Sequence, residues 1–198
     1  MDRPLVTRSR EGGSMDTFLN ALLNALSLAI VWLVALAFVL LVAEVSAQVP
    51  SAIAVPDATP LVTLHAEGAQ IYQCKADSDG KSSSQKGALT WQFREPIATL
   101  ILDGKSVGRH YAGPNWDHID GSGVKGKVTA SAPGAAPNDI AWLKLDVADH
   151  RGDGVLSNAT TVQRINTKGV VVQGSCENEG DYRGVPYSAD YVFLRKRD

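Results

Sequence analysis

The sequence has only two cysteines, four histidines and two methionines, and each scarcity narrows the chemistry open to it. Cys74 and Cys176 stand far apart with no Cys-x-x-Cys spacing. A cysteine-built zinc site and a thioredoxin-like redox motif both need ligands the chain lacks. No His-Glu-x-x-His or Gly-x-Ser-x-Gly is present, so the usual metalloprotease and nucleophile-elbow signatures are missing. An excess of one charge is also absent. From residue 48 onward 16 Lys+Arg face 17 Asp+Glu, since 3 of the 19 basic and 4 of the 21 acidic residues come earlier. That balance excludes the basic surplus that holds nucleic acid or an anionic membrane surface. Gly121-x-Gly123-x-x-Gly126 matches a nucleotide-loop pattern by letter, but it leads into a strand pattern, with no helix N-terminus to face a phosphate.

What the chain does have begins with an apolar run. Phe18 to Ala43 is broken only by Asn20, Asn24 and Ser27, follows Arg3, Arg8 and Arg10, and precedes Val45-Ser-Ala47. Small residues at Val45 and Ala47 suit a signal-peptidase site, so residues 1–47 read as a signal peptide cut before Gln48. The run is also near the roughly 20 residues needed to span a bilayer, which leaves an uncleaved anchor as the alternative. Either way the remainder is exported, to the periplasm or the extracellular space. In such a compartment Cys74 and Cys176 read as a disulfide, closing a loop of about 100 residues worth roughly 4–5 kcal/mol in the chain-entropy model. Two free buried thiols are the alternative.

Residues 48–60 carry Pro50, Pro56 and Pro60 and no helical period, the signature of an extended linker or lead-in. Beyond them, residues 61–198 read as a single β domain. Leu61–His65, Gln70–Cys74, Leu89–Phe93, Ile97–Leu102, Ser106–Tyr111, Val124–Ser131, Ile140–Val147, Thr160–Ile165, Gly169–Gln173 and Tyr187–Leu194 alternate as strands do. Asp103-Gly104 between two of these runs is a hairpin signal, because glycine supplies positive φ at low cost. Roughly nine or ten short strands without an amphipathic helix predict an all-β fold, an antiparallel sandwich or barrel. Trp91, Phe93 and Trp142 fall at alternating strand positions where core is the default.

The segment from Gly108 to Lys127 concentrates polar and aromatic groups between turns. His110, Asp117, His118 and Asp120 are metal-ligand types, although their spacing matches no established signature. The bland reading makes Gly113-Pro-Asn-Trp116 a turn with Trp116 as a plug and lets Asp117 and Asp120 bond loop amides. Ser122 with a histidine and an aspartate is a possible triad without the backbone context for one. Tyr72, Tyr111 and Trp116 are candidates for stacking on a flat ligand, and Trp116 is the best of them because it follows a turn.

Six blocks occur in order: Gly68–Cys74, Leu89–Phe93, Gly108–Trp116, Asp120–Ser122, Val162–Gly169 and Tyr187–Phe193. Together they resemble the exported bacterial and fungal proteins of the domain of unknown function 3455 family, over about residues 60 to 195. The resemblance implies export and one domain, supports the Cys74–Cys176 pairing, and puts His110, Trp116, Asp120 and Arg164 on motif positions. It implies no activity. The malate-dehydrogenase label of some fungal members would need a dinucleotide-binding βαβ unit that this sequence lacks.

The expectation is therefore an exported, disulfide-stapled binding or interaction module without a cofactor. Its ligand would be a small molecule or a cell-envelope component, held by His110, Tyr111, Trp116, Asp120 and Arg164. No nucleic acid partner is expected, and the membrane is touched only if residues 1–47 stay attached. Two rivals remain: a metal-dependent or hydrolytic enzyme using His110 with Asp117 or Asp120, and a membrane-tethered structural protein of the envelope.

Overall fold

A computed structural model describes residues 48–76 and 87–197, together with 19, 20 and 22. Apart from residues 19, 20 and 22, the expected signal peptide or anchor lies outside the described residues. Among the described residues no helix is long and apolar enough to cross a membrane.

Eight strands follow one another: β1 (Ala58–Ala76), β2 (Leu89–Leu102), β3 (Lys105–Tyr111), β4 (Asn115–His118), β5 (Gly123–Ala132), β6 (Trp142–Arg151), β7 (Thr161–Lys168) and β8 (Tyr182–Lys196). Each pairs antiparallel with the next, and β8 returns to β1, closing a barrel. Of the two expected architectures the barrel is the one formed. Closure leaves no sheet edge to template pairing with another chain.

The strand boundaries show where local patterning misled. Leu61–His65 and Gln70–Cys74 are parts of one 19-residue strand, and Leu89–Phe93 and Ile97–Leu102 are parts of one 14-residue strand. Opposite Ile71/Tyr72 a bulge leaves Arg94 of β2 as an extra residue and shifts the alternation between Phe93 and Pro96, so β2 reads as two pieces. In β1, by contrast, alternate positions stay buried from Leu64 to Cys74, and only the polar, glycine-containing Glu67-Gly68 separates the pieces. Of the Gly113–Trp116 stretch read as a turn, Asn115 and Trp116 instead begin a short strand, Asn115–His118. Gly169–Gln173, read as a strand, has only a single bridge, Asp139↔Val170.

Alternation sends one face of every strand inward. Leu64, Ala66, Ala98, Leu100, Val124, Leu145, Val162 and the β8 series Tyr187, Ala189, Tyr191, Phe193 form one buried cluster. Burial of each large apolar side chain contributes about 1.5–3 kcal/mol. Gly126 is part of this fit: a Cβ there would lie 3.0 Å from the Trp116 ring and 3.2 Å from Leu145. The Asp103-Gly104 signal is a tight hairpin turn with φ of 50° and 73°, linking β2 to β3.

The proline-punctuated lead-in is docked rather than trailing. Ser51–Ile53 form one 3-10 turn. The fully buried Ile53 packs with Ala132 and Trp142 in a second, smaller cluster, and its carbonyl accepts a 2.6 Å hydrogen bond from Gln163 Nε2. Trp142 is thus buried as expected, though outside the main cluster. Phe93 departs from the expectation and is 53% exposed.

Cys74 and Cys176 form a disulfide with Cα atoms 5.9 Å apart. It joins the end of β1 to the β7–β8 connection, which is also bonded to β2 through Trp91 N to the Gly174 carbonyl and Cys176 N to the Leu89 carbonyl. Disulfides persist in oxidising compartments, so the bond hints at one.

Candidate functional site

The antiparallel order gives the barrel two ends. At one, where β1, β3, β5 and β7 finish, lie the connections 112–114, 133–141 and 169–181. At the other lie the Asp103-Gly104 turn, residues 119–122 and residues 152–160.

A pocket of about 180 Å³ opens at the first end. Inward alternation brings His110 from β3, Trp116 from β4, Arg164 from β7 and Tyr191 from β8 together on it. Val128, Leu143, Leu145, Pro114 and the half-exposed Phe93 make the walls mostly apolar, and Arg94, which is ion-paired with Glu95 at 3.1 Å, also lines the pocket. Benzene fills an engineered cavity of roughly 150 Å³, so a pocket of this size suits one small ring and its substituents.

The aromatic groups are in close contact. The His110 ring stacks on Trp116 with centroids 4.6 Å apart and planes 11° apart, and Tyr191 leans on both at 4.8 and 5.3 Å. His110 Nδ1–H donates to the Asn115 carbonyl at 2.8 Å. A carbonyl oxygen only accepts, so the hydrogen sits on Nδ1 and the neutral ring keeps Nε2 as an acceptor. Burial pulls the His110 pKa down to about 4, with a smaller contribution from the positive charge of Arg164. The imidazole is therefore neutral at physiological pH. Burial raises the Tyr191 and Tyr187 hydroxyls above the ordinary range, so both stay protonated.

Arg164 is held in place by a neutral group. Its Nε and Nη2 donate to the Ala141 carbonyl at 3.1 and 2.8 Å, and its positive charge acts on the Tyr191 hydroxyl against the effect of burial. Among the described residues no carboxylate forms an ion pair with it. A half-buried guanidinium without a counter-charge is unusual, because burying an unpaired ion is costly.

Two expected members of the site lie elsewhere. Tyr111 follows His110 and so faces out of the barrel, where Arg109 lies 5.0 Å over its ring and Arg151 Nη2 donates to its hydroxyl at 3.4 Å. Asp117 is on this outer face too, bonded by Arg109 at 3.0 Å and by Arg151. Burial raises the Asp117 pKa, but the two guanidinium groups outweigh it and hold the carboxyl below its ordinary value. Asp120 lies at the opposite end of the barrel. Its carboxylate accepts from Ser122 N at 2.9 Å, Ser122 Oγ at 2.6 Å and Val155 N at 2.8 Å. Burial raises its pKa and these hydrogen bonds reverse the shift, leaving it well below the usual carboxylate range. The bland reading of Asp120 as a binder of loop amides is the right one.

His110 thus meets neither Asp117 nor Asp120, and the pairing imagined for an enzyme is not formed. Among the described residues no group of three or more His, Cys, Asp and Glu side chains is arranged to hold a metal ion. Trp116 and Tyr72 are corrected too. Trp116 is 0% exposed and lies beneath the pocket instead of at its rim, and Tyr72 is buried. Sequence reading missed Tyr191 and Leu143 as site residues. Both alternate correctly, but only barrel closure shows which strand positions surround the mouth.

Taken together, the molecule is a disulfide-stapled antiparallel β-barrel with an aromatic, arginine-bearing pocket in one mouth. The chain belongs to the family described as Protein of unknown function (DUF3455), whose model matches residues 55–195. No curated protein and no solved structure matches it.

Proposed function

We propose that the protein is an exported binding module that receives one small, mainly apolar ligand in the mouth of its barrel. The observation that carries this reading is the convergence of His110, Trp116, Arg164 and Tyr191, from four different strands, on one open pocket. Ligand sites are concave and mostly apolar, with a few polar groups fixing orientation, and barrel mouths are among their common locations. Here the stacked His110 and Trp116 supply a rigid aromatic bed, and Arg164 supplies the polar end. The disulfide fixes the β7–β8 connection to the end of β1 at the same end of the barrel, and a braced scaffold favours a preformed site over one assembled on binding.

Saturation-transfer NMR with neutral single-ring compounds such as toluene and benzyl alcohol tests the reading. Binding is expected, and Val128→Trp should abolish it by filling the mouth. Val128 is 48% exposed, so the larger side chain has room without disturbing the core. Unchanged binding to Val128→Trp, or no binding of any such ring to the parent protein, would overturn the proposal.

A further inference from the structure

The pocket's polar groups are more specific than its size. Arg164 presents a planar fork of N–H donors, only part of which, on Nε and Nη2, is taken by the Ala141 carbonyl. Lining a pocket with apolar walls, it lacks a carboxylate partner among the described residues. A carboxylate is the natural complement of such a fork, because two parallel N–H···O bonds match its geometry and cancel its charge. His110 asks for the opposite kind of group. With Nδ1–H given to the Asn115 carbonyl, the ring nitrogen left for a ligand is Nε2, an acceptor, which needs a hydroxyl or N–H donor facing it.

From this complementarity we infer that the ligand is a small aromatic acid bearing a hydroxyl, its carboxylate on Arg164, its hydroxyl donating to His110 and its ring between the apolar walls. The inference rests on the barrel mouth being a binding site and adds the ligand's chemical class. The ring itself matches a pocket of about 180 Å³. Ordinary polar ligands such as sugars fit poorly, since most of the wall offers them no hydrogen bonds and would leave their hydroxyls desolvated.

The test uses matched pairs on the intact exported chain. Affinities are measured by NMR titration for 4-hydroxybenzoate, 4-methoxybenzoate, 4-hydroxybenzamide and benzyl alcohol. The acid is expected to bind at least about tenfold more tightly than its amide, and the hydroxyl compound several-fold more tightly than its methyl ether. Arg164→Gln should erase the preference for the acid while benzyl alcohol still binds. Arg164→Lys, which keeps the charge but not the fork, should recover only part of the preference. Equal affinity for acid and amide would overturn the inference and leave the binding module standing. Failure of all four compounds, benzyl alcohol included, would remove both.

Discussion

Both ends of the barrel set polar side chains among apolar ones, and they finish in opposite states. At the closed end Asp120 accepts from two backbone N–H groups and one hydroxyl, and Ser122 Oγ in turn accepts from Leu156 N at 3.2 Å. That carboxylate ties two connections together and has little left to offer a ligand. At the mouth the polar groups are held by backbone carbonyls, which orient them without neutralising them. Arg164 keeps its charge, and His110 keeps a bare nitrogen. A polar group satisfied by its own turn is architecture, whereas one oriented but uncompensated is available for binding. Asp120 and His110 lie ten positions apart in sequence and fall on opposite sides of that distinction.

Breaking the staple should have the largest effect and should act on the mouth side. Replacing Cys74 and Cys176 together by alanine is expected to cost about 4–5 kcal/mol from restored chain entropy, read as a lower urea midpoint. Ligand affinity should fall with it, because the β7–β8 connection loses its anchor. A double variant of unchanged stability would mean the rim is held by its backbone bonds alone.

Acid should also act through the mouth. The His110 pKa is about 4 in the folded chain and near 6.5 when unfolded. The unfolded state therefore binds more protons between those values, and stability rises with pH. The contribution is full above about pH 6.5, is lost as pH falls towards 4, and amounts to roughly 3 kcal/mol. Thermal melts across this range should show the loss, and His110→Gln should flatten it. A parent protein with a flat profile through this window would contradict the burial of a neutral imidazole.

The closed end should respond in stability alone. Asp120→Ala strands the Val155 and Ser122 N–H groups and is expected to cost about 2 kcal/mol, with ring-ligand affinity unchanged. A loss of affinity would show that the two ends are coupled. Smallest of all, Arg109→Ala on the outer face should shift stability by no more than about 1 kcal/mol, because Arg109 is 72% exposed. Denaturant titration would detect anything larger.

How much of this was legible in the sequence varies from residue to residue. Tyr187, Ala189, Tyr191 and Phe193 share a face in the sequence pattern and are one inner row in the barrel. Asp103-Gly104 announces its turn because few other residues tolerate two positive φ values in succession. The bulge opposite Ile71/Tyr72 is not legible: its extra residue, Arg94, has no compositional mark, and it changes which face of β2 each later residue occupies. The split between His110 and Asp120 is equally silent, since loop length shows a turn without showing which end of a closed barrel the turn occupies.

The sequence by itself determined the all-β character, the pairing of the two cysteines and the alternation that makes one face of each strand apolar. Those properties follow from local periodicity and from there being only one possible disulfide partner. Tertiary structure alone decided that the sheet closes, and that His110, Trp116, Arg164 and Tyr191 meet. Each lies on a different strand, and their convergence depends on the register and curvature of the whole barrel, to which every strand pair contributes and which no single segment encodes.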